Sequence, residues 1–182
     1  RATRYGQQPV TILLTGLTAS GKTTLAYALE RRLFDLGRAC TVLDARNMRR
    51  GISRELGFTS EERSENLRRS AEIAKLLNDA GLICIAAFVA PREDVRQRVR
   101  EVVGPERCLI VHLATPLAAC RQRDVDGAYA MADTGEIVNF PGVSAPYEVP
   151  ENPDLVLRPD QASIDACVEQ LMTLLTRRGM IY

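Results

Sequence analysis

Eight consecutive residues near the start of the chain constrain its fold more than any other feature. The stretch from Gly16 to Thr23 reads Gly-Leu-Thr-Ala-Ser-Gly-Lys-Thr and matches the pattern G-x-x-x-x-G-K-[ST]. A short apolar run, Val10 to Thr15, precedes it, and from Lys22 to Leu36 apolar residues recur at helical spacing. A strand, a glycine-rich loop and a helix in this order place backbone N–H groups around an anion at the helix amino terminus. The stretch is therefore predicted to be a P-loop that binds a nucleoside triphosphate.

The residues of this P-loop have separate expected roles. Lys22 is expected to reach the β- and γ-phosphates, and the Thr23 hydroxyl is expected to bind Mg²⁺. The residues expected to contact ATP are Gly16, Leu17, Thr18, Ala19, Ser20, Gly21, Lys22, Thr23 and Thr24. The sequence has no N-K-x-D motif, which a GTPase would use to recognise guanine. It also has no hydrophobic strand that ends in Asp-Glu, which an ATP-driven motor would need. These absences favour a small kinase over a GTPase or an ATP-driven motor.

The rest of the chain alternates between strand and helix patterns. Further strands are predicted at Cys40–Leu43, Leu82–Val89, Cys108–Leu113 and Leu155–Leu157. Further helices are predicted at Met48–Leu56, from an N-cap at Ser60 to about Ala80, from Pro91 to about Val103, at Pro116–Arg123 and at Ser163–Arg178. This order predicts an α/β protein with the P-loop NTPase fold, a five-stranded, mostly parallel sheet and helices on both faces. The irregular segment from about 124 to 153 is expected to be a lid.

Composition narrows the class of protein. The 182 residues fit one domain, and 24 basic with 23 acidic residues leave a net charge of +1, which argues against a nucleic-acid partner. The five cysteines are scattered, as is typical of thiols in the cytoplasm, and no run is long enough for a membrane span. The single histidine, His112, excludes a multi-histidine metal site. Residues 1–8 are polar and begin with Arg1, so a lead-in or linker from a preceding domain is expected before a folded domain at 9–182.

Residues after the second strand suggest a second substrate. Asp44 ends that strand, where ligands bind in open α/β sheets, and is expected to hold Mg²⁺ or to take a proton from an acceptor hydroxyl. The alternative for Asp44 is a helix N-cap. A group of arginines with interleaved Phe58 and Asn66 follows, which favours an anionic nucleotide stacked on the ring. The alternative for these arginines is a solvated basic face.

Several further motifs accompany these residues in a fixed order. They are Leu43-Asp44 with Asn47, Arg49-Arg50-Gly51, Leu56-Gly57-Phe58, Arg63 to Arg69, Phe88-Val-Ala-Pro91, Arg123-Asp124, Gly135-Glu136-Ile137, Asn139-Phe140 and Pro146-Tyr147-Glu148. From about Pro9 to Tyr182, this series resembles the adenylylsulfate kinase family. The resemblance implies transfer of a phosphoryl group from MgATP to the 3′-hydroxyl of adenosine 5′-phosphosulfate. It also implies a mobile lid, a homodimer and, in many organisms, fusion to sulfate adenylyltransferase in the cytoplasm.

The resemblance also implies roles for individual residues. Lys22, Asp44 and Arg46 take the catalytic positions, Thr23 and Asp44 the metal positions, and Arg123 joins the ATP site. The acceptor pocket is expected to be lined by Arg49, Phe58, Arg63, Asn66, Val89, Ala90 and Phe140. The rings of Phe58 and Phe140 are expected to sandwich the adenine, while Arg49 and Arg63 pair with the phosphosulfate.

Three departures from the family pattern lead to competing hypotheses. The family reads Asp-Gly-Asp-Asn after the second strand, and here Arg46 replaces the second aspartate. Ala90 stands where a serine is usual, and the lid carries Asp126 and Asp133 where the family has a lysine and an arginine. One hypothesis is a working adenylylsulfate kinase in which Asp44 and Arg46 do the job differently and the activity is attenuated. The alternatives are a kinase-derived nucleotide-binding domain with a regulatory or structural role, and a kinase for another acceptor.

Overall fold

Five parallel strands form the centre of the fold in this computed structural model, which describes residues 1–182. The strands are β1 (Val10–Thr15), β2 (Cys40–Asp44), β3 (Ile83–Ala87), β4 (Cys108–Leu113) and β5 (Leu155–Leu157). Their order across the sheet is β2-β3-β1-β4-β5, and every pairing is parallel. The helices are α1 (Ala2–Tyr5), α2 (Lys22–Asp35), α3 (Ala45–Arg49), α4 (Ser60–Asp79), α5 (Glu93–Val103), α6 (Leu117–Arg123), α7 (Ala128–Asp133) and α8 (Ile164–Arg177).

Apolar side chains of β1 point alternately into two hydrophobic cores. Val10, Ile12 and Leu14 pack with residues of α2 and α8, whereas Leu13 packs with residues of α4 and α5. Successive side chains of a strand face opposite sides of a sheet, so a strand covered on both faces must be apolar throughout. All six residues of β1 are buried. The predicted α/β fold with helices on both faces is confirmed.

Three local predictions differ from the structure. The short basic helix begins at Ala45 and not at Met48, because the Asp44 side chain accepts the backbone N–H of Asn47 and caps the helix. The helix ends at Arg49, and the residues that follow form turns instead of a helix that continues to Leu56. The N-cap of α4 is Thr59 instead of Ser60, since the Thr59 hydroxyl accepts the N–H of Glu62 at 3.1 Å. The segment from 124 to 153 is not irregular throughout, because it contains α7.

The polar lead-in packs against the rest of the chain. Gln7 is fully buried, and its Nε2 donates to the carbonyl oxygens of Ala39 at 2.9 Å and Gly81 at 2.8 Å. Gln7 also forms an antiparallel bridge with Ile181. These contacts tie the lead-in to the sheet. A domain before it stays a prediction.

None of the helices combines the length and apolar character that a membrane span requires.

Candidate active site

Three strands end at the same edge of the sheet and bring the motifs together. The P-loop follows β1, Asp44 is the last residue of β2, and the segment from Phe88 to Pro91 follows β3. β1 and β3 are neighbours in the sheet, and β2 pairs with β3. The carboxyl edge of a parallel sheet is where open α/β folds bind ligands.

The P-loop is shaped by glycines and by buried contacts. A Cβ at Gly16 would lie 2.7 Å from Ser20 Oγ and 2.8 Å from the carbonyl oxygen of Leu113, so only glycine fits there. Gly21 has φ +106°, a left-handed conformation that side chains disfavour. The Thr115 hydroxyl donates to the carbonyl oxygen of Ser20 at 2.8 Å. The loop is therefore fixed by backbone geometry before any phosphate binds.

Lys22 lies inside this loop. Its Nζ donates to the carbonyl oxygens of Gly16 at 2.9 Å and Leu17 at 2.7 Å, and lies 3.4 Å from Ser20 Oγ. Burial lowers the pKa of Lys22 to about 8. Because a buried ammonium is destabilised unless it is compensated, a phosphate at this position would favour its charged form.

The residues expected at the metal site are suited to Mg²⁺. Thr23 is exposed in the first turn of α2. Asp44 is buried, with Oδ1 accepting the N–H of Asn47 at 2.6 Å and Oδ2 lying 3.4 Å from the Tyr27 hydroxyl. No cluster of three or more His, Cys, Asp or Glu residues is present. Mg²⁺ in kinases needs only a hydroxyl or carboxylate beside phosphate oxygens and water, so the donor set fits.

A cavity of about 710 Å³ opens beside the P-loop. Its lining includes Thr18 of the P-loop together with all the residues predicted for the acceptor: Arg49, Phe58, Arg63, Asn66, Val89, Ala90 and Phe140. A size of this order is typical of pockets for small molecules. The sequence prediction missed other lining residues, among them Pro91, Glu136 and Glu148, whose motifs carried the family resemblance without an assigned role.

Two half-buried arginines converge in this cavity. The guanidinium carbon of Arg49 lies 4.3 Å from the centre of the Phe58 ring, and Arg63 Nη1 donates to the carbonyl oxygen of Asn139 at 2.6 Å. Burial lowers the pKa of both arginines, and the charge of Arg49 lowers that of Arg63 further. Asn66 is buried, and its Oδ1 has no hydrogen-bond partner in the protein. The cavity therefore offers two cations and a free acceptor atom to an anionic, polar ligand.

The two phenylalanines differ in exposure. Phe58 is 60% exposed, whereas Phe140 is 5% exposed and packs edge-on against Tyr129 with ring centres 5.0 Å apart. The Tyr129 hydroxyl donates to the carbonyl oxygen of Thr18 at 2.7 Å. Sequence reasoning gave Tyr129 no role, although it belongs to the lid pattern. It links the lid, the P-loop and the wall of the cavity.

Two of the residues that depart from the family pattern, Arg46 and Asp126, contact each other. Arg46 Nη2 lies 3.4 Å from Asp126 Oδ2, and both side chains are largely exposed. Asp133 forms two hydrogen bonds with Arg121, at 2.8 and 3.1 Å. The structure therefore pairs each of the two carboxylates that depart from the family's lid pattern, Asp126 and Asp133, with an arginine. Arg123 donates to the carbonyl oxygen of Pro159 at 2.8 Å, and its contact with ATP stays a prediction.

Sequence comparisons match the chain to adenylylsulfate kinases. The sequence profile of the adenylylsulphate kinase family matches residues 8–158. An adenylyl-sulfate kinase of Phocaeicola vulgatus is 48% identical over 169 residues, which are 93% of this chain and 83% of that relative. A bifunctional enzyme CysN/CysC of Rhodopirellula baltica is 56% identical over 181 of the 182 residues of this chain, and the match spans 28% of that relative.

A solved structure agrees with the sequence comparisons. The APS kinase CysC of Mycobacterium tuberculosis, in complex with AMPPNP and APS, matches with a TM-score of 0.89 and 39% sequence identity. The match covers 93% of this chain and 99% of that one. The profile matches residues 8–158 and the Phocaeicola relative covers 93% of the chain, so the chain belongs to the adenylylsulfate kinase family.

Proposed function

We propose that this chain transfers the γ-phosphoryl group of MgATP to the 3′-hydroxyl of adenosine 5′-phosphosulfate. The products are ADP and 3′-phosphoadenosine 5′-phosphosulfate. One observation carries the proposal: a single cavity connects Thr18 of the P-loop with two arginines, two phenylalanines and a buried asparagine. Donor and acceptor sites that share one cavity let the two nucleotides meet at the sheet edge.

The acceptor side of the cavity suits adenosine 5′-phosphosulfate. The rings of Phe58 and Phe140 hold the adenine by stacking, and Arg49 and Arg63 neutralise the phosphosulfate. Asn66 Oδ1 accepts a hydrogen bond from the nucleoside. Each of these groups lines the same cavity. A neutral acceptor would leave two half-buried arginines without counter-charge, which is unfavourable.

The donor side uses the P-loop. Its backbone N–H groups and Lys22 hold the β- and γ-phosphates, and Thr23 and Asp44 are the residues that would hold Mg²⁺. Bound Mg²⁺ neutralises charge on the transferred group. Asp44, the last residue of β2 at the same edge of the sheet, would orient the acceptor hydroxyl. The acceptor oxygen bonds to the γ-phosphorus, the bond to the bridging oxygen breaks, and the hydroxyl proton passes to Asp44 or to water.

A weakened kinase is the second candidate, and the pair of Arg46 and Asp126 favours it. Asp126 places a carboxylate at the start of the lid, and an anion in a lid that closes over phosphates opposes the reaction. Arg46 partly neutralises that carboxylate. We therefore expect binding of both nucleotides to be ordinary and turnover to be lower than in relatives with a cationic lid.

Two further properties rest on the relatives. We infer that the chain functions beside a sulfate adenylyltransferase, because the bifunctional relative matches all of it. We also infer self-association, because a similar structure is a hexameric APS kinase from Thiobacillus denitrificans. That structure matches with a TM-score of 0.74 and 31% identity, and the match covers 98% of this chain and 31% of that one. A cytoplasmic location fits the five free cysteines. Sedimentation analysis of the purified chain tests the self-association.

A coupled assay for ADP release, with MgATP and adenosine 5′-phosphosulfate, tests the reaction. AMP and adenosine 3′,5′-bisphosphate serve as control acceptors, because the first lacks the sulfate and the second already carries a 3′-phosphate. Turnover with adenosine 5′-phosphosulfate alone supports the proposal. Tight binding of both nucleotides without turnover, measured by calorimetry, would instead support the nucleotide-binding domain. No binding of adenosine 5′-phosphosulfate would contradict both.

A further inference from the structure

Arg96 is the largest side chain of the protein that is fully buried. It lies in the helix predicted from Pro91 to about Val103, and no role for it was predicted from the sequence. A buried guanidinium is destabilising unless its hydrogen bonds are satisfied. Its Nη1 donates to the carbonyl oxygen of Ala90 at 2.6 Å, its Nη2 to that of Glu148 at 2.6 Å, and its Nε to Glu93 Oε2 at 3.0 Å. These partners identify what Arg96 holds.

Two segments meet at Arg96, and both line the acceptor cavity. One segment follows β3 and includes Ala90 and Pro91. The other lies near the end of the lid and includes Pro146 and Glu148. The N–H of Glu148 donates to the carbonyl oxygen of Pro91 at 2.8 Å. Arg96 thus joins the two segments from behind the cavity wall, without lining the cavity itself.

The backbone at Ala90 needs such support. Its φ of +45° is a left-handed conformation that alanine rarely adopts, at a cost of about 1–3 kcal/mol. The carbonyl oxygen of Ala90 accepts from Arg96, and also lies 3.3 Å from the Thr15 hydroxyl. The Thr15 hydroxyl lies 2.8 Å from the Tyr147 hydroxyl, and the Arg96 guanidinium carbon is 5.7 Å from the centre of the Tyr147 ring. Hydrogen bonds from Arg96 and Thr15 to its carbonyl oxygen therefore hold Ala90 in this strained conformation.

We propose that Arg96 is a positioning residue for the acceptor, and that it sets the affinity for adenosine 5′-phosphosulfate while ATP affinity is left unchanged. The inference rests on the proposed function of the cavity. An arginine is needed because its planar fork reaches two carbonyl oxygens and a carboxylate together. A lysine ammonium in the same place is a single point that cannot span the three acceptors.

Steady-state kinetics of Arg96→Lys test this proposal. We expect the KM for adenosine 5′-phosphosulfate to rise at least tenfold, while the KM for ATP and the Kd for ADP change by less than threefold. Arg100→Lys is the matched control, because Arg100 lies one turn further along α5 and pairs with Asp154 at 3.3 Å, away from the cavity. It is expected to leave both KM values unchanged.

Several results would overturn the proposal. An equal rise in both KM values, an equal effect of Arg100→Lys, or a lowered melting temperature with unchanged KM values would make Arg96 merely structural.

If Arg96→Lys does not fold, Tyr147→Phe is the second test, since it removes only the hydroxyl contact with Thr15. It should raise the KM for the acceptor more than threefold, and a smaller change would contradict the proposal. Unmutated protein that neither binds nor phosphorylates adenosine 5′-phosphosulfate refutes the proposed function, whereas active protein with an unaltered variant refutes only the role of Arg96.

Discussion

The P-loop and the start of the lid both contribute residues to the wall of one cavity, but they are built differently. The P-loop is held by buried contacts of its own backbone, such as the bond from Thr115 to Ser20. The start of the lid meets the core through few polar contacts, among them Tyr129 with Thr18 and the exposed pair of Arg46 with Asp126. Buried backbone geometry tolerates little change, whereas exposed charges are exchanged at low cost. This contrast explains why the P-loop matches its pattern at every position while the lid departs from it.

The largest expected effect is at the P-loop. Lys22→Ala removes a charge-assisted contact with phosphate, worth about 1.5–3 kcal/mol, so ADP and ATP affinity should fall about ten- to a hundredfold. Calorimetric titration measures the loss. Lys75→Ala is the control, because Lys75 is the only other lysine and is exposed on α4. Equal affinities for the two variants would refute the assigned P-loop role.

The acceptor wall should respond separately from the P-loop. Phe58→Ala removes a stacking surface for the adenine and should weaken binding of adenosine 5′-phosphosulfate by about 1–3 kcal/mol. ADP affinity should stay within twofold, since Phe58 is not part of the P-loop. Phe34→Ala is the control, because Phe34 is also exposed but lies near the end of α2 and does not line the cavity. If both ligands weaken equally, the ring supports packing and not the acceptor.

The exchanged charges of the lid form the third test. Arg46→Asp places two carboxylates face to face, and Asp126→Lys places two cations face to face, so each single change should lower turnover. The double change restores an ion pair with the family's polarity, and we expect turnover more than tenfold above that of the unmutated chain. Nucleotide affinities should move less, because the pair is exposed. The kcat values of all four proteins measure the coupling. If Arg46→Asp abolishes an already fast reaction, Arg46 is a catalytic adaptation.

The smallest effect concerns protons. Burial lowers the pKa of Lys22 to about 8, and a bound phosphate raises it, so ADP binding at pH 8 should take up about half a proton. Calorimetry in buffers of different ionisation enthalpy measures this uptake. Lys22→Met should abolish it, whereas a persisting uptake would assign the titration elsewhere. In the absence of nucleotide, the folded state binds fewer protons than the unfolded state between pH 8 and 10.5. This group therefore makes the free energy of unfolding rise with pH across that window.

Local patterns predicted most of the fold. β1, β4 and β5 lie where apolar runs predicted them, because a strand buried on both faces must be continuously apolar. The bounds of α3 were wrong, since a capping contact between Asp44 and Asn47 decides where that helix begins. Such a contact depends on side-chain geometry, which apolar periodicity does not report.

The sequence by itself predicted the phosphate-binding loop and the parallel sheet, because motif spacing and apolar periodicity are local properties of a chain. The full set of residues expected for the acceptor came from the resemblance to one family, and their role stays a prediction. Tertiary structure alone decided that Arg46 pairs with Asp126 and that Arg96 is buried against Glu148. These partners are separated by 80 and 52 positions in the sequence. The sequence pattern around a charged helix residue is the same whether its side chain faces water or a backbone carbonyl. For Arg96, the packing of the lid against α5 decides that the side chain is buried. The physical reason is that burial of a charge depends on the groups folded around it.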